Sequence, residues 1–272
     1  MRTIRFVTGI VLVVALSSFL TPHSYAGFEG YWLQKTVTES DLHMAGKQSE
    51  KTEQKVFFRP GMMKMVDLST GEMTILRMDK ELMWQVDAED STYTEVTFAE
   101  MEKASAEGKE QWAKARAEMM EEMKDMPPEQ RKLVEKMMES KMSTLMGAEE
   151  AVELSLKRTG NKENVGGYDC EYIVITANDD PFVEMWVTDT FDLGGELFNF
   201  YEKMSLFQYE PTKELLGFKG FPMKTVFNME MGMGTVQNVT TVSKVMKTSL
   251  KESEFDLPKG LVKQKRKVLK PE

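Results

Sequence analysis

Cysteine and histidine are almost missing: one Cys and two His in 272 residues. A single cysteine, Cys170, excludes an intrachain disulfide, and its expected place is inside, as a small hydrophobe. A Ser-His or Cys-His nucleophile pair would rest on His43 alone, since His23 lies in a segment expected to be removed. His43 sits in "SDLHMAGK", which reads as a polar turn. A histidine-rich zinc centre is excluded by count. No catalytic residue, metal ligand or cofactor is assigned, and the expectation is a protein that is not an enzyme. Long apolar runs are also scarce. Beyond the N-terminus no stretch is apolar enough to span a bilayer.

The first thirty residues read "MRTIRFVTGIVLVVALSSFLTPHSYAGFEG". Arg2 and Arg5 form a basic start, Phe6 to Leu20 is a short apolar run, and Ser24-Tyr25-Ala26 places small residues where a signal peptidase reads. Residues 1–26 are therefore expected to be a signal peptide cleaved after Ala26, leaving an exported, soluble, periplasmic protein. No cysteine near that point would carry a lipid anchor. Losing Arg2 and Arg5 takes the formal charge from −9 to −11. An acidic surface repels phosphates, so nucleic acid is a poor partner. The basic run "KQKRKVLK" (263–270) reads as a frayed, solvated end.

Strand patterns fill the first third of the remaining chain. "ELMWQVD" alternates Leu82, Trp84 and Val86 with Glu81, Gln85 and Asp87, the period of a sheet with two unlike faces. "YWLQKTVTE", "EQKVFFRP", "MMKMVDL" and "EMTILRM" are similar runs, separated by turn signals such as Arg59-Pro60-Gly61 and Ser69-Thr70-Gly71. Connections this short predict an antiparallel meander. From Phe98 to Met146 the period becomes helical. Trp112, Ala115, Met119, Met123 and Met126 form one stripe and Leu133, Val134, Met137, Met138, Met142 and Leu145 a second, with "DMPPEQ" breaking between them. This predicts an amphipathic helical hairpin over about 98–146. Strands resume in "VELSLKR", "CEYIVITA" and "FVEMWVTD", which carry bulky apolar groups on both faces and so need cover on both. "GELFNFYEKMSLFQYEP" reads as a further helix with Leu197, Tyr201, Met204 and Phe207 on one side. A last pair of strands, "FPMKTVFNMEMGMG" and "TVQNVTTVSKV", precedes Phe255-Asp-Leu-Pro. No domain boundary is visible, so 27–272 reads as one domain.

The stretch "NMEMGMG" (228–234) sets three methionines at alternate positions. Thioethers select Cu(I), but same-face neighbours on a strand stand about 7 Å apart. Methionine is also abundant throughout, with 24 in the chain. Lining of a core or cavity is the expectation, because methionine fills irregular apolar gaps; a Cu(I)-buffering envelope protein is the alternative.

Three segments, "VGGYDCEYIVI" (165–175), "VEMWVTD" (183–189) and "GFPMKTVFNMEM" (220–231) running on to "EFDLPKG" (254–260), are similar to an uncharacterised family of exported domains. That family stands near the LolA-like and LolB-like periplasmic lipoprotein carriers. The resemblance implies an α+β fold: a strongly curved antiparallel half-barrel covered by a helical lid, with an apolar cavity between. It implies no catalytic residue. On this reading Trp84, Phe227, Met229 and Met231 line the sheet side and Trp112, Met119 and Met123 the lid. The expected partner is a hydrophobic small molecule, lipid or acyl chain, with an envelope protein as a further possible partner. A closed core with no ligand is the other outcome.

Two measurements check these expectations. N-terminal sequencing of the native protein should begin at Gly27, and an intact Met1 in the membrane pellet would refute the cleavage. Replacing Met229, Met231 and Met233 by leucine should leave Cu(I) retention unchanged at little cost in stability, since Leu and Met are close in volume.

Overall fold

The computed structural model describes residues 27–42, 46–127, 131, 152–177, 179–193, 209–211, 217–231 and 234–264. The expected meander is present. Strands β1 (Gly30–Leu42), β2 (Gly46–Arg59), β3 (Met62–Asp67), β4 (Met73–Arg77), β5 (Leu82–Asp87) and β6 (Thr92–Thr97) pair antiparallel in chain order. Helix α1 (Phe98–Glu122) follows. Then come β7 (Val152–Val165), β8 (Tyr168–Ala177), β9 (Asp180–Thr188), β10 (Tyr209–Pro211), β11 (Phe221–Met231), β12 (Gly234–Lys247) and β13 (Val262–Lys263). All join one sheet in the order β10-β7-β8-β9-β11-β12-β1-β2-β3-β4-β5-β6-β13. The halves meet where β12 returns beside β1, from Gly30↔Lys247 to Leu42↔Gly234. Only the edge pairs, β10 on β7 and β13 on β6, are parallel.

Turn chemistry follows the sequence signals. In Asp67–Gly71 the Asp67 carboxylate accepts from the N–H groups of Ser69 (2.8 Å) and Thr70 (3.0 Å). Gly30 is needed where β1 meets β12, because a Cβ there would stand 2.0 Å from the Met246 carbonyl oxygen. Just beyond it, β12 carries an extra residue opposite Leu33/Gln34, and β11 another between Pro222 and Lys224. Such bulges bend a strand and raise its twist. The bend brings Phe28, Trp32 and Phe221 edge to face, with centroids 5.2–6.0 Å apart. Cys170 of β8 and Leu76 of β4, seven places apart in the sheet, share this one core. A flat sheet could not do that, so the sheet is curved.

The sheet's second face is crossed by a strap, residues 248–264. Its first turn is tied down where Leu250 N–H donates to Glu29 Oε1 at 2.7 Å. A 3-10 turn at Glu252–Phe255 then drives Phe255 into a cluster with Met62, Ile75 and Trp84, where it is fully buried. Beside it lies the Arg77 guanidinium, also fully buried. Arg77 donates from Nε and Nη2 to both Asp79 oxygens (2.8 and 2.7 Å), from Nη2 to Glu252 (2.9 Å) and from Nη1 to Asp256 (3.0 Å). Burying a charge is costly unless its hydrogen bonds are met. Here three carboxylates, two from the strap, meet them.

The helical expectations divide. Helix α1 begins where expected, at a capping box: Thr97 Oγ1 accepts from Glu100 N–H (3.2 Å) while Glu100 accepts from Thr97 N–H (2.8 Å). Arg131 donates to the carbonyls of Met123 (3.1 Å) and Lys124 (3.0 Å), in the 3-10 turn Met123–Asp125 that follows the helix. Among its described side chains, however, nearly all beyond the first turn are exposed, so α1 does not lay its stripe on the sheet as a closed lid would. The second helix of the hairpin lies outside the described residues apart from Arg131, as does the stretch around Leu197, Tyr201, Met204 and Phe207. Tyr209–Pro211, expected to end a helix, is instead an edge strand on β7. Proline lacks the N–H a helix needs but suits an edge. The basic end is also corrected at its start. Val262–Lys263 pairs with β6, and Lys263 Nζ lies 2.7 Å from Glu95.

Arg77→Ala would leave three carboxylates facing one another around a cavity. It should lower unfolding free energy by about 2–3 kcal/mol, toward the low side because the carboxylates keep much of their hydration. Urea titration checks this. Hydrogen bonds from Arg77 hold the Asp79 carboxyl below the usual carboxylate range. Its contribution is therefore full at neutral pH and lost as pH falls below about 4. Asp79→Asn should flatten that acid-side loss.

Candidate functional site

Cross-strand partners share a face of the sheet, so its two surfaces can be followed row by row. One row runs Ile173–Met185–Thr225–Thr240–Thr36–Thr52, across six strands. It is apolar on β8 and β9 and hydroxyl-bearing from β11 to β2. The apolar part is packed, not open: Ile173, Ile175 and Met185 are buried with Phe182 and Phe218. The polar part is knitted together. Trp32 Nε1–H donates to Gln34 Oε1 (2.7 Å) and Gln34 Nε2 to Gln54 Oε1 (3.0 Å). The Thr36 and Thr240 hydroxyls lie 2.9 Å apart, and Thr38 donates to Asn238 at 2.6 Å.

On the same face, between β2 and β6, lies an open groove of about 530 Å³. Thr52, Gln54, Met65, Thr74, Gln85 and Thr94 make its floor. Asp67, Glu72 and Asp87 stand along one side, and the strap contributes Gln264. Gln264 is held there by its N–H on the Tyr93 carbonyl (2.8 Å). The Ser69 hydroxyl and the Thr70 and Ser69 N–H groups keep the Asp67 carboxyl below its ordinary range. The floor itself is uncharged and offers both donors and acceptors. It can orient a ligand, and it holds no nucleophile beside a base.

Of the residues expected to line a cavity, Trp84 and Phe227 do not come together. Trp84 sits in the row Phe57–Lys64–Ile75–Trp84, whereas Phe227 sits in the row Phe227–Asn238–Thr38–Glu50. Phe57 and Glu50 are seven apart on one strand, so the rows lie on opposite faces. Trp84 is buried beneath the strap, its Nε1–H donating to Glu95 at 2.8 Å. Phe227 packs edge to face on Phe182, centroids 5.0 Å apart. Met229 and Met231 pair in β11 with Val236 and Gly234; their side chains lie outside the described residues. So does that of Trp112, on α1. Met119 is 39% exposed and Met123 is buried where α1 ends. Cys170 is buried as expected, and burial pushes its thiol pKa up, the wrong direction for a nucleophile. In the sequence Gln85 and its neighbours look like any solvent face, and the alternation in "WQVD" and "YTEVT" is the one signal they carry.

Residues 113–261 match the family described as Domain of unknown function (DUF4412), more than half of the 272 residues. This chain belongs to DUF4412. The DUF4412 match contains all the segments quoted above for the resemblance to exported carrier-like domains. Comparison with curated proteins gives no significant match. Among solved structures the DUF4412 chain is similar to an uncharacterised conserved protein from Thermus thermophilus (10% identity, TM-score 0.40, covering 86% of this chain and 91% of that one). It is similar to MucB (9% identity, TM-score 0.36, covering 87% and 61%), of whose length it spans less than two thirds. A LolA superfamily protein from Nitrosomonas europaea is a third (7% identity, TM-score 0.33, covering 84% and 91%).

Proposed function

We propose that this protein is a non-enzymatic, exported, periplasmic protein that binds or carries an acyl-bearing amphiphile on the curved sheet. The observation that carries this reading is the open groove with its uncharged, hydrogen-bonding floor. Among the described residues the Thr52 and Thr74 hydroxyls and the Gln54 NH₂ have no protein partner. A neutral polar head would satisfy them. The chain of such a ligand would find Met65 in the floor. Methionine suits the task because it repacks around flexible apolar ligands at small cost.

Titration with a fluorescent monoacylglycerol-type probe tests the reading. Trp32 is the informative reporter, since its indole donates to Gln34, which in turn donates to Gln54 of the floor. Trp84, sealed under the strap, should not respond. Gln54→Leu and Thr74→Val should each weaken binding by about five-fold, the worth of one lost hydrogen bond, while circular dichroism stays native. A folded wild type that takes up no probe, or variants that bind like it, would end the amphiphile reading.

A further inference from the structure

Among the described residues the strap covers the second face from the Phe57–Arg59 end of β2 to β6 and does not reach the rest of the β11–β12–β1–β2 area. That open area is basic on a chain of net charge −9. The row Trp186–Lys224–Thr241–Lys35–Glu53 crosses it, and beside it runs Lys244–Leu33–Lys55. Lys51 follows one row further on, opposite Val37. Five lysines thus share the middle of one face over four adjacent strands. The carboxylates on it stand mostly at its margins. Glu53 lies 3.7 Å from Lys35, and Glu184 of β9 accepts from the Tyr172 hydroxyl. Glu39, Asp41 and, by register, Glu230 stand at the far end of β1 and β11, where Lys47 lies 3.7 Å from Asp41.

Two features separate this face from an ordinary solvated one. Two ammonium groups rest on aromatic rings: Lys55 Nζ is 4.2 Å from the Tyr31 centroid and 4.6 Å from that of Phe57, and Lys224 Nζ is 4.1 Å from that of Trp186. Between the lysines the face is apolar. Leu33, Val37, Val226 and Val239 are only half-buried, and Met246, opposite Tyr31, is 41% exposed. Aliphatic side chains here gain nothing from the phosphates of a nucleic acid. A bilayer interface accepts both components at once, lysines at the headgroups and Tyr, Trp and aliphatic groups just beneath.

We propose that the β11–β12–β1–β2 face docks peripherally on an anionic lipid surface. Charge complementarity selects the occupant, and the interleaved apolar side chains select a bilayer over a soluble polyanion. No helix among the described residues is long and apolar enough to cross a membrane. The groove lies on the opposite side of the sheet and would remain open to the water phase.

Vesicle flotation of the exported protein tests this. It should bind phosphatidylcholine vesicles containing about one third phosphatidylglycerol, release as salt rises, and ignore pure phosphatidylcholine. Binding to pure phosphatidylcholine of equal strength would overturn the proposal, since it would reflect a non-electrostatic anchor elsewhere in the chain. The variant Lys35→Gln/Lys55→Gln/Lys244→Gln should bind anionic vesicles about 100-fold more weakly, at roughly five-fold per lysine. Lys103→Gln/Lys114→Gln on exposed α1 should not change binding. Circular dichroism establishes that the variants are folded, and the lipid and salt comparisons stand on the wild type alone. If soluble polyaspartate or heparin binds the wild type more tightly than anionic vesicles do, the face serves an acidic macromolecule and the membrane proposal fails.

Discussion

A sheet of this breadth has two faces, and every square ångström of each must be covered by the chain or made wettable. That constraint explains more of this structure than any single bond. On one face the β8–β9 part is apolar and packed, while along the row from Ile173 and Met185 the side chains turn to threonine from β11 to β2. On the other, the strap covers the end of β2 through β6, and lysines keep the β11–β12–β1–β2 area wet. Curvature arises from the same constraint. Bulges in β11 and β12 bend the sheet until aromatic residues from its middle meet one another and seal one end.

The strap depends on Arg77. An arginine with no exposed surface in the middle of a sheet would be ruinous alone, because its desolvation exceeds what one partner returns. Three carboxylates and the Phe255 carbonyl share its donors, and two of those acidic residues arrive on the strap with Phe255 between them. The charge network and the aromatic plug therefore form together or not at all. This gives "EFDLPKG" a structural meaning: Phe255 fills the core while Asp256 closes the guanidinium.

The two faces also divide the electrostatics. The groove side is neutral at its floor and anionic along one wall, and the open part of the strap side is cationic, although the whole chain is acidic. Net charge alone would have excluded any attraction to anionic surfaces. The register of β11, β12, β1 and β2 gathers the lysines that composition had averaged away.

Local chemistry determined much of this protein from sequence alone. The meander follows from alternation and short turns, α1 from its 3.6-residue period and the break at Pro127-Pro128, and the buried state of Cys170 from its isolation. The match to DUF4412 spans the segments that carried the resemblance. The candidate site was far less legible. Period-two patterns show that Trp84 and Phe227 each point to one side of their own strand, but not that these are opposite sides of one sheet. That is settled by register across β1, β2 and β12, between residues about two hundred positions apart. The groove and the lysine face are likewise products of register, since single polar side chains on separate strands carry no signal until pairing sets them side by side. Sequence determined the elements because helix and strand periods are local; tertiary structure decided the sites because a face belongs to the sheet and not to any one strand.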